Sequence, residues 1–257
     1  MSLNIPRIFV ASLLLAPTLV FGQATKQVTR TSQSPISKEV YSVLKADKAV
    51  KHGTYTLYKG QQNKLATQGH FSNGRKDSTW TTYGWDGRTV VAKGAYQNDQ
   101  PAGIWEFFTS KGELEQKYDY DQRQMLFVRP GKNKSMSVTL LAPTATGQTS
   151  PDVAPVYIGG TSAITNNMLM MRYPVEAIRG GVSGTVQVAF SIGKDGTASN
   201  HRVTQGIGSG CDEEALRVVQ SLSNGWIPAQ VAGQPVAVEC ELPIKFGLQK
   251  PVVTPIR

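Results

Sequence analysis

Three histidines and two cysteines are the side chains of this 257-residue chain best suited to acid–base, nucleophilic or metal chemistry, and their spacing assembles none of it. His52, His70 and His201 fall in three different stretches, without ligand spacing to one another or to the cysteines. Glu213-Glu214 opens an amphipathic stretch, where carboxylates complement the positive end of a helix and need no catalytic role. Ser209-Gly210-Cys211 lacks the G-x-S-x-G pattern of a nucleophile elbow. With no nucleophile–base set and no metal set, the sequence argues for a protein that is not an enzyme and carries no cofactor. Cys211 and Cys240 leave two readings open. They form a disulfide, or they are two buried thiols, because both occupy apolar positions of their pattern.

The elements that would position any site are of two kinds. In the first half, Tyr55, Trp80 and Trp105 stand 25 residues apart, as do Tyr58, Tyr83 and Phe108. Gly69 and Gly94, Phe71 and Tyr96, and Gly87 and Gly112 keep the same interval. Each unit reads as two short strands, an aromatic run ("TYTLY", "TWTTY", "IWEFF") and a "GHF" or "GAY" segment, joined by turns rich in Asn, Asp and Gly. A period of this length marks stacked hairpins that bury a core only together. Trp80 and Trp105 read as core. Trp85 stands off the repeat in a turn and reads as an exposed contact. A leading strand is expected near Tyr41–Leu44, and residues 131–152, rich in Pro, Ser, Thr and Gly, read as a linker with one strand at Met136–Leu141.

The second half changes pattern. "YPVEAIRG" reads as a short helix with Pro174 in its first turn, and "GTVQVAFSI" alternates with Val186, Val188, Phe190 and Ile192 on one face. A tight "GKDG" turn leads to a weaker strand at Ala198–Gln205. Asp212 reads as the cap of a helix with Ala215, Leu216, Val219 and Leu222 on its apolar stripe, ended by Asn224-Gly225. "PVAVECELPIKF" is the last strand, with Val236, Val238, Cys240, Leu242, Ile244 and Phe246 inward and Glu239, Glu241 and Lys245 outward. A hairpin followed by a helical crossover makes the third strand antiparallel to the first, so the sheet order is 2-1-3 with the helices on one face. The last strand is then an edge, open to another strand.

This half resembles the TonB C-terminal domain. "YPVEAIRGGVSGTVQVAFSIGKDG", "CDEEALRVVQSL", "GWIPAQVAGQPV" and "ELPIKF" match its signatures in order, and "PVYIGGTSAITNNMLMMRYP" fits its lead-in. The repeat units "GHFSNGRKDSTWTTYGWDG" and "GAYQNDQPAGIWEFFTSKG" resemble MORN-type and antitoxin-type repeats, which implies a scaffold or contact surface. The resemblances imply an α+β domain over residues 153–257 preceded by an all-β hairpin-repeat domain over 23–130. They also imply binding of the TonB box of outer-membrane receptors by strand addition, in the service of transport. The expected peptide site is Val236, Ala237, Val238, Glu239, Cys240, Glu241, Leu242 and Ile244, flanked by Met170, Met171, Arg172 and Tyr173. Edge pairing between two copies, giving a homodimer, is the same chemistry.

Location and charge complete the expectation. Arg7, the apolar run Ile8–Val20 and the small residue Gly22 read as an export leader, 1–22, cut before Gln23, which makes the protein periplasmic. A cleaved leader and a repeat domain stand where an energy-transducing TonB has its membrane helix and Pro-rich span, which argues against direct coupling to the proton gradient. Residues 23–130 hold 16 Lys/Arg against 10 Asp/Glu, and 153–257 hold 8 against 7. The basic half is either attracted to the cell wall and other anionic envelope polymers, or carries lysines that solvate exposed strands. Nucleic acid is not an expected partner of an exported chain.

Overall fold

In the first half the repeat becomes one antiparallel meander. The computed structural model describes residues 23–130 and 136–247, so the expected leader lies outside the described residues. Strands β1 (Thr25–Gln33), β2 (Ile36–Leu44), β3 (Lys51–Lys59), β4 (Lys64–Ser72), β5 (Arg75–Tyr83), β6 (Val90–Gln97), β7 (Gln100–Phe108), β8 (Leu114–Asp119) and β9 (Gln124–Val128) pair in chain order. The expected leading strand is the end of β2, and β1 precedes it.

The 25-residue period is written into the backbone. Asn73-Gly74 and Asn98-Asp99 turn the chain with φ of 49° and 84°, and of 52° and 71°. Two positive φ values in a two-residue loop match the right-handed twist of the flanking strands. Bulges recur at Leu57/Tyr58, Thr82/Tyr83 and Phe107/Phe108. Gly53, Ser78 and Gly103 hold equivalent places, all with positive φ, and only Ser78 carries a side chain there.

One face of the meander carries its core. Tyr55, Trp80, Trp105, Phe107 and Tyr118 are buried, and Phe71, Tyr96 and Tyr120 fill in between with edge-to-face contacts. The repeated glycines make room for the indoles. A Cβ on Gly69 would stand 2.2 Å from Trp80, and one on Gly94 2.2 Å from Trp105. The indole N–H of Trp80 donates to the His70 carbonyl at 3.1 Å, and that of Trp105 to the Ala95 carbonyl at 2.9 Å, one repeat on.

The second half contains β10 (Ser137–Leu140), β11 (Val156–Tyr157), α1 (Gly160–Leu169), α2 (Val175–Arg179), β12 (Gly184–Ile192), β13 (Ala198–Gln205), α3 (Cys211–Gln220), β14 (Trp226–Ile227), β15 (Ala229–Val231), β16 (Gln234–Val236) and β17 (Val238–Phe246). Its main sheet is ordered β10-β17-β12-β13, antiparallel throughout. The expected 2-1-3 order is present as β13-β12-β17. The fourth strand, β10, comes from the stretch read as a linker. It is held because Leu140 is buried, the Leu140 N–H donates to the Thr149 carbonyl at 2.7 Å, and the Asp152 N–H donates to the Gln230 carbonyl at 2.9 Å.

Val186, Val188, Phe190 and Ile192 of β12 form the floor of the core, against Ala215, Val219 and Leu222. Helix α3 starts at Cys211 with Gly210 before it. The Asp212 carboxylate therefore does not cap the helix. It accepts from the N–H groups of Ile207 and Gly208, tying down the approaching loop. The helix also ends earlier than Asn224-Gly225.

The two halves touch through the buried amide of Gln116 on β8. It donates to the Tyr157 carbonyl at 2.9 Å and accepts from the Gly159 N–H at 3.0 Å. Glu115 accepts from the N–H and hydroxyl of Thr161, placing a carboxylate at the N-terminus of α1, where the helix dipole favours it. This close approach needs Gly160, whose Cβ would stand 2.6 Å from Glu115.

Candidate functional site

The outer edge of β17 is partly taken. β10 pairs with it in the register Ser137↔Glu241, Val138↔Cys240, Thr139↔Glu239 and Leu140↔Val238. The Leu141 N–H donates to the Ala237 carbonyl at 3.2 Å, so the odd-numbered residues of β17 turn their backbone groups toward this side. Glu239 and Glu241 thus face β10. Beyond them Pro243 has no N–H to offer, and Lys245 brings the next donor. Among the described residues nothing pairs with Leu242–Phe246 on that side. The expectation of a fully open edge is corrected to an edge open only in this half.

The remaining expected residues are placed as follows. Val236 belongs to the β15–β16 hairpin, opposite Ala229, and Ala237 joins that hairpin to β17, so neither extends the last strand. Val238, Cys240, Leu242 and Ile244 point into the core. On the opposite face Glu239 pairs with Arg202, and the Thr204 hydroxyl donates to Glu241. These contacts reach from β13 to β17 across Ala189 and Ser191 of β12, whose small side chains leave the path clear and are themselves buried. The sheet face expected to be wet is therefore covered along its centre.

Met170, Met171, Arg172 and Tyr173 run from the end of α1 to α2 alongside α3. The Arg172 N–H donates to Glu214 at 2.6 Å, and Glu214 also binds Arg217, which holds its carboxyl below the usual carboxylate range. Tyr173 meets β17, its ring edge-on to Phe246 at 5.6 Å and its hydroxyl donating to the Val182 carbonyl at 2.6 Å, and Met171 packs against the same core. Met170 faces elsewhere and is 71% exposed. Cys211 and Cys240 are free, buried thiols. Burial, and secondarily the neighbouring Glu239, pushes Cys240 up to about 12.

Adjacent strands bring together two groups that sequence separation had kept apart. His52 and His70 lie 6.2 Å apart, edge to face, although no group of three or more potential metal ligands forms among the described residues. Lys51 lies 4.6 Å over the Tyr41 ring and 4.9 Å over Tyr55, and Lys76 lies 4.7 Å over Trp80 and 4.8 Å over Tyr96. These two lysines roof the aromatic face. Their 25-residue spacing was the available signal.

A concavity of about 810 Å³ opens between the meander and α1. Trp85, 69% exposed, stands at it with Met170, Lys59 and Lys64 from different elements.

Residues 170–248 match the family described as Gram-negative bacterial TonB protein C-terminal. Over these residues the chain is similar to a TonB C-terminal domain. The match runs from the end of α1 through β17 and leaves β10 and the meander outside it. No curated protein matches the chain. Among solved structures, the NMR solution structure of the Helicobacter pylori TonB-CTD is similar at 24% identity, covering 34% of this chain and 78% of that one, with a TM-score of 0.27. The crystal structure of TarM is similar at 11% identity, covering 40% of this chain and 21% of that one, with a TM-score of 0.24. TM-scores this low establish no shared fold across the whole chain. Among the described residues, no helix is long and apolar enough to cross a membrane.

Proposed function

We propose that the protein is a periplasmic, non-enzymatic binding protein whose TonB C-terminal domain takes extended segments of outer-membrane receptors by strand addition at β17. The observation that carries the reading is β10 itself. A four-residue strand from outside the family match already adds to this edge, antiparallel and in register. Backbone pairing of this kind supplies affinity with little demand on side chains. An incoming peptide that uses Val238–Glu241 has to replace β10, and Leu242–Phe246 is where it first finds room.

Anisotropy of a labelled peptide carrying a receptor's TonB box, titrated with the full chain, tests this. Thr139 faces Glu239 in a hydrogen-bonded pair, so Thr139→Pro loosens β10 and is expected to tighten the peptide. Equal affinity with and without this substitution would sink the β17 reading. A second reading, a structural envelope protein without receptor exchange, draws on the same strand. If β10 never leaves, the edge is closed along Val238–Glu241, as natural sheets close their edges, and edge-to-edge dimerisation through that stretch is closed with it.

A further inference from the structure

We infer that the concavity between the meander and α1 is a binding cleft for an acidic oligosaccharide, with Trp85 as its stacking platform. Trp85 does not serve the repeat. The equivalent positions one period away are Gly60 and Ser110, which both line the same cleft. The meander's geometry is met by a glycine and by a serine, so the tryptophan answers another need.

The turn that carries the ring is also held in place. Asp86 accepts from the N–H of Arg88 at 3.0 Å and from the N–H and hydroxyl of Thr89, closing the turn that carries Trp85. Gly87 seats that turn on β4, where a Cβ would stand 2.9 Å from the Leu65 nitrogen. A large apolar ring exposed on a turn tied down in this way offers a contact surface, and indole faces accept the flat C–H face of a hexose.

The surroundings select the ligand class. The cleft volume of about 810 Å³ falls within the range of small-molecule sites, and it sits between two structural units, where such sites concentrate. Gln61, Gln62, Thr165 and Asn166 line it with side chains that make no hydrogen bond to other described residues, leaving amides and a hydroxyl for sugar hydroxyls. Lys59 and Lys64 bring two ammonium groups without a salt-bridge partner among the described residues. Asp86, the one carboxylate on the lining, is occupied by its own turn. The balance favours a carboxylate-bearing sugar over a neutral one. This site is separate from β17 and does not depend on strand addition.

Intrinsic fluorescence reads the site directly. Trp80, Trp105 and Trp226 are 4%, 7% and 5% exposed, so Trp85 is the indole a surface ligand reaches. The full chain is titrated with a hexuronate tetramer and with peptide-free cell-wall glycan chains bearing lactyl carboxylates, beside uncharged chitotetraose and tetraglutamate. A saturable change in either acidic-sugar arm supports the site when the affinity, read for the unaltered chain and for the variants that lack the reporter indole by isothermal titration calorimetry, falls by about tenfold or more in Trp85→Ala and is largely kept in Trp85→Phe, and the responding arm identifies its source. Lys59→Ala with Lys64→Ala is expected to erase the preference over chitotetraose. Silence in both acidic arms, equal binding of chitotetraose by the unaltered chain, an equal response to tetraglutamate, or full affinity in Trp85→Ala overturns the assignment. Far-UV circular dichroism confirms that each variant is folded.

Discussion

Gly94→Ala isolates the contact on which the meander's core depends. Gly94 is not at positive φ, so alanine is acceptable to the backbone there. Its added Cβ would stand 2.2 Å from Cδ2, 2.3 Å from Cγ and 2.4 Å from Cε2 of Trp105, within the indole itself. The ring has to lift away. Trp105 is only 7% exposed, and full truncation of such a side chain costs about 3–5 kcal/mol. A displaced ring keeps part of its contact but loses the 2.9 Å bond to the Ala95 carbonyl, worth about 1 kcal/mol. The expected cost is therefore about 3 kcal/mol. Urea unfolding of the full chain, followed by circular dichroism and indole fluorescence, measures it. The decisive step repeats the substitution in a Trp105→Ala background. There the clash is gone, and alanine is expected to be neutral or to stabilise by about 0.5 kcal/mol, since glycine in a strand interior is the weaker choice. An equal cost in both backgrounds would refute the argument from the indole.

Ser78→Gly is expected to stabilise the chain by about 0.5–1 kcal/mol. Relief of a left-handed residue is worth about 1–2 kcal/mol and is partly offset by glycine's chain entropy, and a fall in the unfolding midpoint would count against it. The two thiols are expected to resist alkylation in the native protein and to titrate as two free thiols once unfolded without reductant; a single or absent thiol would point to a bridge. Because the Cys240 thiol is raised from 9.0 to about 12 on folding, its contribution is complete below pH 9. It then declines by about 1.4 kcal/mol per pH unit as pH rises toward the folded value, which alkaline unfolding curves of Cys240→Ser beside the unaltered chain resolve. Limited proteolysis is expected to spare residues 137–152, which the sheet and its hydrogen bonds hold. Early cuts within that stretch would mean that β10 is not paired in solution.

Much of the candidate site was legible from local pattern. The alternation of Val186 to Ile192 and of Val238 to Phe246 announced two half-buried strands, and connectivity then required their antiparallel pairing. β10 was legible as a strand at Met136–Leu141 but not as a sheet member, because its four residues carry too little pattern to name a partner. Met170 and Tyr173 read as one flank. They diverge because the segment between them is pulled onto α3 by Glu214, 42 residues away from Arg172 in sequence.

The sequence by itself determined the period of 25, the aromatic core positions Trp80 and Trp105, the turns that need positive φ, and the TonB-like order of strands and helix. These follow from residue type and spacing, since each is a local preference repeated at a fixed interval. Only the tertiary structure decided which edge remained open, that Gln116 and Glu115 join the two halves, and that Trp85 faces a cleft shared with α1. Those depend on side chains more than 40 residues apart meeting across packed elements, and no local preference encodes such a meeting.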